Sequence, residues 1–272
     1  MNQSPKNPKR TPVEVAAIVP ARGGQQSIPY KNLQVLGGKT LVQWAIEVAF
    51  AAETVDAVFV STEDAKIAAE AEKHGAIVIP RPAEYSQPTS SDAGWYHHAA
   101  EWMEKEHGWT PELLVNLRPT GPLRFPSDVD TIVNYMKESG ADGVKSVIPA
   151  PLHPYKMWQF EDEENKEIGQ AGKLKPVFDN EYRQQKGPDQ PRQQIQKMFP
   201  VFFQDAQIDV TRRKFVLREE CLKYDNPWGP SISGYVLDPR TSADLDTPED
   251  MRHAERIYAQ MEEERADKKK HS

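Results

Sequence analysis

The chain has 272 residues, with 34 Lys and Arg against 41 Asp and Glu, a formal net charge of −7. That mild acidity argues against a general binder of nucleic acid or anionic membranes, which needs a basic face. A single cysteine, Cys221, excludes an intrachain disulfide and any cysteine-cluster metal site. The longest apolar stretches, such as Val13–Ala21, fall far short of the roughly 20 residues that span a bilayer.

Residues 1–12 are polar and carry prolines and lysines without an apolar block, so they read as a disordered leader and not a secretory signal. The expectation is a soluble, cytoplasmic, globular protein. Val15–Val19 is a short continuous apolar run, the pattern of a strand buried on both faces. A glycine-containing loop follows, from Ala21 to Gly38. Leu41, Trp44, Ala45, Val48, Ala49 and Ala52 then recur at helical spacing. The alternation repeats. Strands are predicted at Ala57–Val60, Ala76–Ile79, Leu113–Leu117 and Val144–Ile148. Helices are predicted at Asp64–His74, Asp92–Lys105 and Ser127–Glu138, the last with Ser127 as N-cap. Such regularity implies βαβ units around a mainly parallel sheet.

From Pro149 the pattern changes. Residues 149–200 are proline-containing and polar, and read as an excursion from the main domain, a small β-arm or oligomer contact. Phe202–Val210 returns to strand, Pro248–Glu264 is a polar-faced helix, and 266–272 is a solvated basic tail. The main domain is thus expected at 13–148 and 201–265. Parallel sheets bind ligands at the carboxyl ends of their strands, so the segments to read for chemistry are 20–32, 61–64, 80–92, 117–124 and 240–246.

In the first of these, Ala21, Arg22, Gly23 and Gly24 can turn backbone N–H groups toward an anion, with Arg22 and Lys31 adding positive charge. A Gly-Gly turn between two solvated cations explains the same residues, because the spacing is neither a P-loop nor G-x-G-x-x-G. Asp244 and Asp246 would point to one side of an extended segment and could share a divalent ion. On the residues alone, Asp246 capping the helix at Pro248, with Thr247, is the favoured reading, and it is compatible with a metal role. Thr89-Ser90-Ser91-Asp92 suits an N-cap as well as a ligand contact, and Arg124 either braces its loop or positions a substrate. Adjacent His97 and His98 point in different directions and read as structural. Cys221 reads as a small apolar residue, and His153–Trp158 as a packed aromatic patch or a site segment.

Read together, Ala-Ile-Val-Pro-Ala-Arg-Gly-Gly (17–24, with Ala17 first) and the Ile28-Pro29-Tyr30-Lys31-Asn32-Leu33 string resemble the N-terminal signature of the acylneuraminate cytidylyltransferases, the CMP-sialic acid synthetase family. Five further blocks resemble that family in order: Val60–Asp64, Arg81–Glu84, Leu117–Arg124, Pro191–Gln193 and Asp244–Asp250. The resemblance implies a Rossmann-like three-layer α/β nucleotidyltransferase fold with a mainly parallel sheet and a small dimerisation excursion. It implies that a 2-keto sugar acid of the nonulosonic type attacks the α-phosphate of CTP, giving a CMP-sugar and pyrophosphate. Mg²⁺ is implied as cofactor, and a homodimer as the assembly. By the same resemblance Arg22, Lys31 and Asp246 are catalytic, and Asp244 and Asp246 hold the metal. Ala21, Arg22, Gly23, Gly24, Gln26, Lys31, Arg81, Thr89 and Ser91 meet the nucleotide, and Arg118, Arg192, Gln193, Gln204 and Asp205 meet the sugar acid.

Several residues depart from that pattern. Gln26 stands where the family carries a phosphate-facing lysine, and losing one charge-assisted contact costs roughly 1.5–3 kcal/mol. Ser27 replaces a glycine, which would be strained if that position needs positive φ. Arg118 replaces glutamine, which points to an altered, more cationic acceptor pocket, while Asp205-Ala206 replace Asn-Gly, exchanging a donor/acceptor amide for an acceptor-only anion and restricting the backbone. The residues therefore leave two alternatives open: a relative using another nucleotide or acceptor, and a catalytically weakened nucleotide-binding protein of the same fold.

Overall fold

The Val15–Pro20 strand (β1) is built of small and β-branched residues and is fully buried along Val15–Val19. In the computed structural model, which describes residues 5–24, 27–162, 168–178, 181–186 and 199–271, β1 sits inside a seven-stranded sheet. The other elements before the excursion are β2 (Val35–Leu36), β3 (Lys39–Thr40), α1 (Leu41–Ala51), β4 (Ala57–Thr62), α2 (Ala65–Lys73), β5 (Ile77–Pro80), α3 (Asp92–His107), β6 (Leu113–Asn116), α4 (Pro126–Ser139) and β7 (Gly143–Pro149). After it come β10 (Phe202–Arg212), α6 (Arg213–Val216), α7 (Glu219–Tyr224), β11 (Ile232–Val236) and α8 (Pro248–His271). The strand order is β11-β7-β10-β6-β1-β4-β5. Strands β6, β1, β4 and β5 run parallel, and β11 is parallel to β7. The exception is β10, antiparallel to β6 with Asp209 opposite Asn116. The expected mainly parallel α/β sheet is therefore present.

The helices begin and end where side chains satisfy their free backbone groups. Thr40 caps α1 by accepting from the Gln43 N–H, and Asp64 caps α2 by accepting from Lys66 and Ile67 N–H groups. Gly108 ends α3 in the left-handed conformation, φ 67°. One core cluster packs α3 residues Trp95, Tyr96 and Met103 on Ile18, Phe59 and Leu114 of the sheet. A second packs Leu36, Leu41, Leu123 and Leu245 with Ala254 and Ile257 of α8.

Four expectations need correcting. Ser127 does not cap α4: the N-cap is Phe125, and Pro126 starts the helix, where its missing N–H is harmless. Residues 5–12 are not a free leader, because Asn7 donates to Val58 and Gly75 carbonyls and Arg10 pairs with Asp56 at 2.7 Å. The tail expected from 266 continues as helix α8 to His271. The β2–β3 hairpin, α6 and α7 escaped the sequence reading because each is too short to show periodicity, and β11 because Ser233 and Gly234 interrupt its apolar residues.

The chain divides into two units, Met1–Val147 with Gln204–Ser272, and Ile148–Phe203. The second unit contains an antiparallel hairpin of β8 (Trp158–Phe160) and β9 (Leu174–Pro176), and the short helix α5 (Glu181–Lys186). Among the described residues no helix is long and apolar enough to cross a membrane.

Candidate active site

Parallel strands β5, β4, β1 and β6 end at one edge of the sheet, so the loops leaving them converge there. A cavity of about 310 Å³ lies at this edge, within the first unit. It collects Arg22 and Lys31 from the loop after β1, and Arg81 and Ser90 from the segment after β5. Asp92 and Trp95 come from α3, Arg118 and Thr120 follow β6, Ala206 comes from β10, and Asp244 and Asp246 precede α8. Six of the expected site residues, Arg22, Lys31, Arg81, Arg118, Asp244 and Asp246, thus face one space although they span 225 positions of sequence.

The acidic wall answers the question of the helix cap. Thr247 and Asp250 form a reciprocal capping pair: the Asp250 N–H donates to the Thr247 hydroxyl, and the Thr247 hydroxyl donates to the Asp250 carboxylate. Asp250 also accepts from the Asp246 and Thr247 N–H groups. The Asp246 carboxylate is therefore released toward the cavity, where it accepts from Lys31 Nζ at 2.7 Å. Ser27 Oγ donates to the Asp246 carbonyl, which ties the loop after β1 to the aspartate segment. Asp244 stands on the cavity wall and is hydrogen-bonded by Thr120. Burial, and then the neighbouring Asp246 charge, raise its carboxyl above the usual range.

Two carboxylates on one cavity wall, the charge of one raising the other, are a hard-oxygen donor pair that a divalent cation would relieve, so the residues fit the implied metal. Among the described residues no group of three acidic, histidine or cysteine side chains gathers to hold an ion. The remaining ligands would come from phosphate oxygens and water.

On the cationic side, Arg22 donates to the Gln87 carbonyl at 2.7 Å, and Asn32 fixes the Arg22 carbonyl at 2.8 Å. Gly24 is left-handed, φ 88°, and the Gly23 N–H donates to Glu63 Oε1 at 2.8 Å. Gln26 lies outside the described residues. Arg81 is buried, with its guanidinium on the Ser61 hydroxyl and carbonyl, and burial lowers it to about 10. Arg118 pairs with Asp92. Burial works against the Arg118 charge, but Asp92 and Asp209 overcome it and raise the group.

Other expected residues lie elsewhere. Ser91 is the residue before α3 and makes no side-chain cap bond, and neither it nor Thr89 lines the cavity. Their neighbour Ser90 does. Gln204 accepts from Lys145 at 3.4 Å and is not on the cavity wall. Asp205 is buried, accepting from Ser146 Oγ at 2.5 Å and Gln207 Nε2 at 2.8 Å, and is also absent from that wall. The adjacent Ala206 takes φ 55° and meets the cavity instead. Arg192 and Gln193 lie outside the described residues. Arg124 is a brace: fully enclosed, it donates to the Gln207 and Arg118 carbonyls, and burial lowers it to about 9.

Sequence reading named Asp92 only within a block that suits a cap or a ligand contact, and it missed Trp95 and the buried Asp209. The available signal for Asp209 was an acid between Ile208 and Val210 in a strand-like run. Both its oxygens lack a hydrogen-bond partner among the described residues, and burial pushes it up to about 6, against the pull of Lys145 and Arg118. Because the folded state prefers the neutral acid, its relative stabilising effect is complete below about pH 4 and is lost as pH rises to about 6. Asp209→Asn is expected to remove that slope and to gain up to about 3 kcal/mol above pH 6, as read by urea unfolding at several pH values.

Comparison with known proteins follows the same lines. Residues 16–262 match the cytidylyltransferase family. N-acylneuraminate cytidylyltransferase A of Danio rerio is 32% identical over 145 residues, 53% of this chain and 32% of the relative. The 3-deoxy-manno-octulosonate cytidylyltransferase of Anaeromyxobacter sp. is 36% identical over 140 residues, 52% of each chain. The match thus spans a third to a half of these relatives' length. CMP-N,N'-diacetyllegionaminic acid synthase of Legionella pneumophila is 24% identical across 90% of this chain and 96% of its own. The fold is shared with a CMP:2-keto-3-deoxy-manno-octonic acid synthetase complexed with CTP, at TM-score 0.61 and 18% identity, covering 91% of this chain and 99% of the other. With the family match running from β1 into α8, over the segments that build the cavity, the chain belongs to the cytidylyltransferase family.

Proposed function

We propose that this chain transfers the cytidylyl group of CTP to the anomeric hydroxyl of a nonulosonic-type 2-keto sugar acid, as a homodimer using Mg²⁺. The observation that carries this reading is the meeting of Arg22 and Lys31 with the Asp244–Asp246 pair in one cavity. In the reaction the hydroxyl oxygen bonds to the α-phosphorus, the bond to pyrophosphate breaks, and the hydroxyl proton passes to solvent. In-line displacement at phosphorus needs positioning and charge neutralisation more than covalent help. Arg22 and Lys31 supply positive charge, and Arg118, paired with Asp92, forms the wall offered to the acceptor. When bound, Mg²⁺ held by Asp244 and Asp246 would neutralise phosphate charge.

The homodimer reading draws support from the second unit, where Phe178, Phe199, Phe202 and Phe203 are exposed. Sedimentation is expected to give twice the chain mass.

The direct test is pyrophosphate release with Mg²⁺ and CTP across sialic, legionaminic, pseudaminic and 3-deoxy-octulosonic acids, with GTP and acid-free controls. Release with CTP and one of these acids, abolished by EDTA, is the expected result. Release with GTP, or with no acid of the panel, would overturn the reading.

A further inference from the structure

We propose that Glu63 is a built-in competitor for the polyphosphate of the nucleotide, occupying the glycine-loop donor until phosphate displaces it. This rests on the proposed use of a nucleoside triphosphate, and concerns a residue outside the cavity wall.

The Gly23 N–H points out of a glycine loop flanked by Arg22, the arrangement that receives a phosphate oxygen. Here it donates instead to Glu63 Oε1 at 2.8 Å, so a carboxylate already sits where an anion is wanted. The two acids after β4 differ in how many contacts hold them. Asp64 is held by the Lys66 and Ile67 N–H groups at 2.8 and 3.0 Å, and packs so closely that a Cβ on Gly23 would lie 2.8 Å from it. Asp64 therefore fixes the floor of the loop. Glu63 reaches the same loop from an exposed side chain, and can leave without disturbing the α2 cap.

Its charge serves the empty loop. Arg22 and Arg81 repel one another, and Glu63 supplies nearby negative charge that favours the protonated Arg81. A triphosphate brings the same charge and the same acceptor oxygens in greater number. Two anions cannot share one N–H at close range, so binding requires Glu63 to withdraw.

The test measures affinity for inorganic tripolyphosphate and for CTP by calorimetry in the wild type, Glu63→Gln and Glu63→Ala, with KM and kcat for CTP alongside. Both variants are expected to bind both ligands about three- to tenfold more tightly, with the gain in KM and not in kcat. A role in merely organising the loop predicts the opposite: wild-type affinity in Gln, which keeps an acceptor oxygen, and weaker binding in Ala. Unchanged or weaker tripolyphosphate binding in Glu63→Ala would overturn the proposal. If the variants tighten tripolyphosphate while no form binds CTP, the competitor role stands and the cytidylyl reading fails. If wild type turns CTP over and neither variant tightens, the competitor role alone fails.

Discussion

Asp244→Asn is expected to lower Mg²⁺-dependent pyrophosphate release by two to four decades, a magnitude of about 3–5 kcal/mol in transition-state stabilisation. The same substitution is expected to raise the Tm of the metal-free protein. These opposite effects share one cause. Burial and the Asp246 charge raise the Asp244 carboxyl, so its ionised form is disfavoured in the folded state. The sign follows: metal-free stability falls as pH rises through the carboxylate range, and the amide removes that loss. Asp246→Asn should also lose turnover but gain no stability, because its carboxylate already accepts from Lys31 at 2.7 Å. Thermal unfolding in EDTA, beside turnover in Mg²⁺, reads both effects. An Asp244→Asn protein that turns over normally would remove this residue from the metal pair.

Arg124→Met is expected to cost about 3–5 kcal/mol of folding stability, measured by urea unfolding. The guanidinium is enclosed and donates to two carbonyls, those of Arg118 in the loop after β6 and Gln207 in β10. Asp205 and Asp209 are the anions that offset its burial. Methionine fills similar volume but leaves both carbonyls and both carboxylates without the cation. Lysine is not expected to rescue, since a single ammonium does not match a planar fork aimed at two acceptors. A variant of near wild-type stability with lost turnover would instead make Arg124 a substrate contact.

Those two residues show where sequence reading stops. Leu117–Arg124 was legible as a site segment, and Arg118 and Arg124 are of one residue type six positions apart. One faces the cavity and the other is sealed beneath it, because the Gln207 carbonyl of β10 lies within reach of Arg124 only once β10 has paired with β6. The local pattern could not separate them. Asp244–Asp250 is a second case. From spacing alone the cap of α8 was the favoured reading of Asp246, ahead of a cavity ligand. The reciprocal bonds of Thr247 and Asp250 decide it, and these depend on the turn actually formed.

The sequence by itself determined the alternation of strands and helices, the mainly parallel sheet, and the glycine loop and aspartate pair as places to look. Those features are written in local periodicity and short motifs, which survive without knowledge of neighbours. Only the tertiary structure decided that Asp205 turns into the protein while Ala206 meets the cavity, and that Asp209 lies buried opposite Asn116 without a side-chain hydrogen-bond partner among the described residues. It alone set Glu63 on the Gly23 N–H. Each of these outcomes is a contact between residues 40 to 93 positions apart, fixed by strand register and burial, and neither quantity is encoded in any window of adjacent residues.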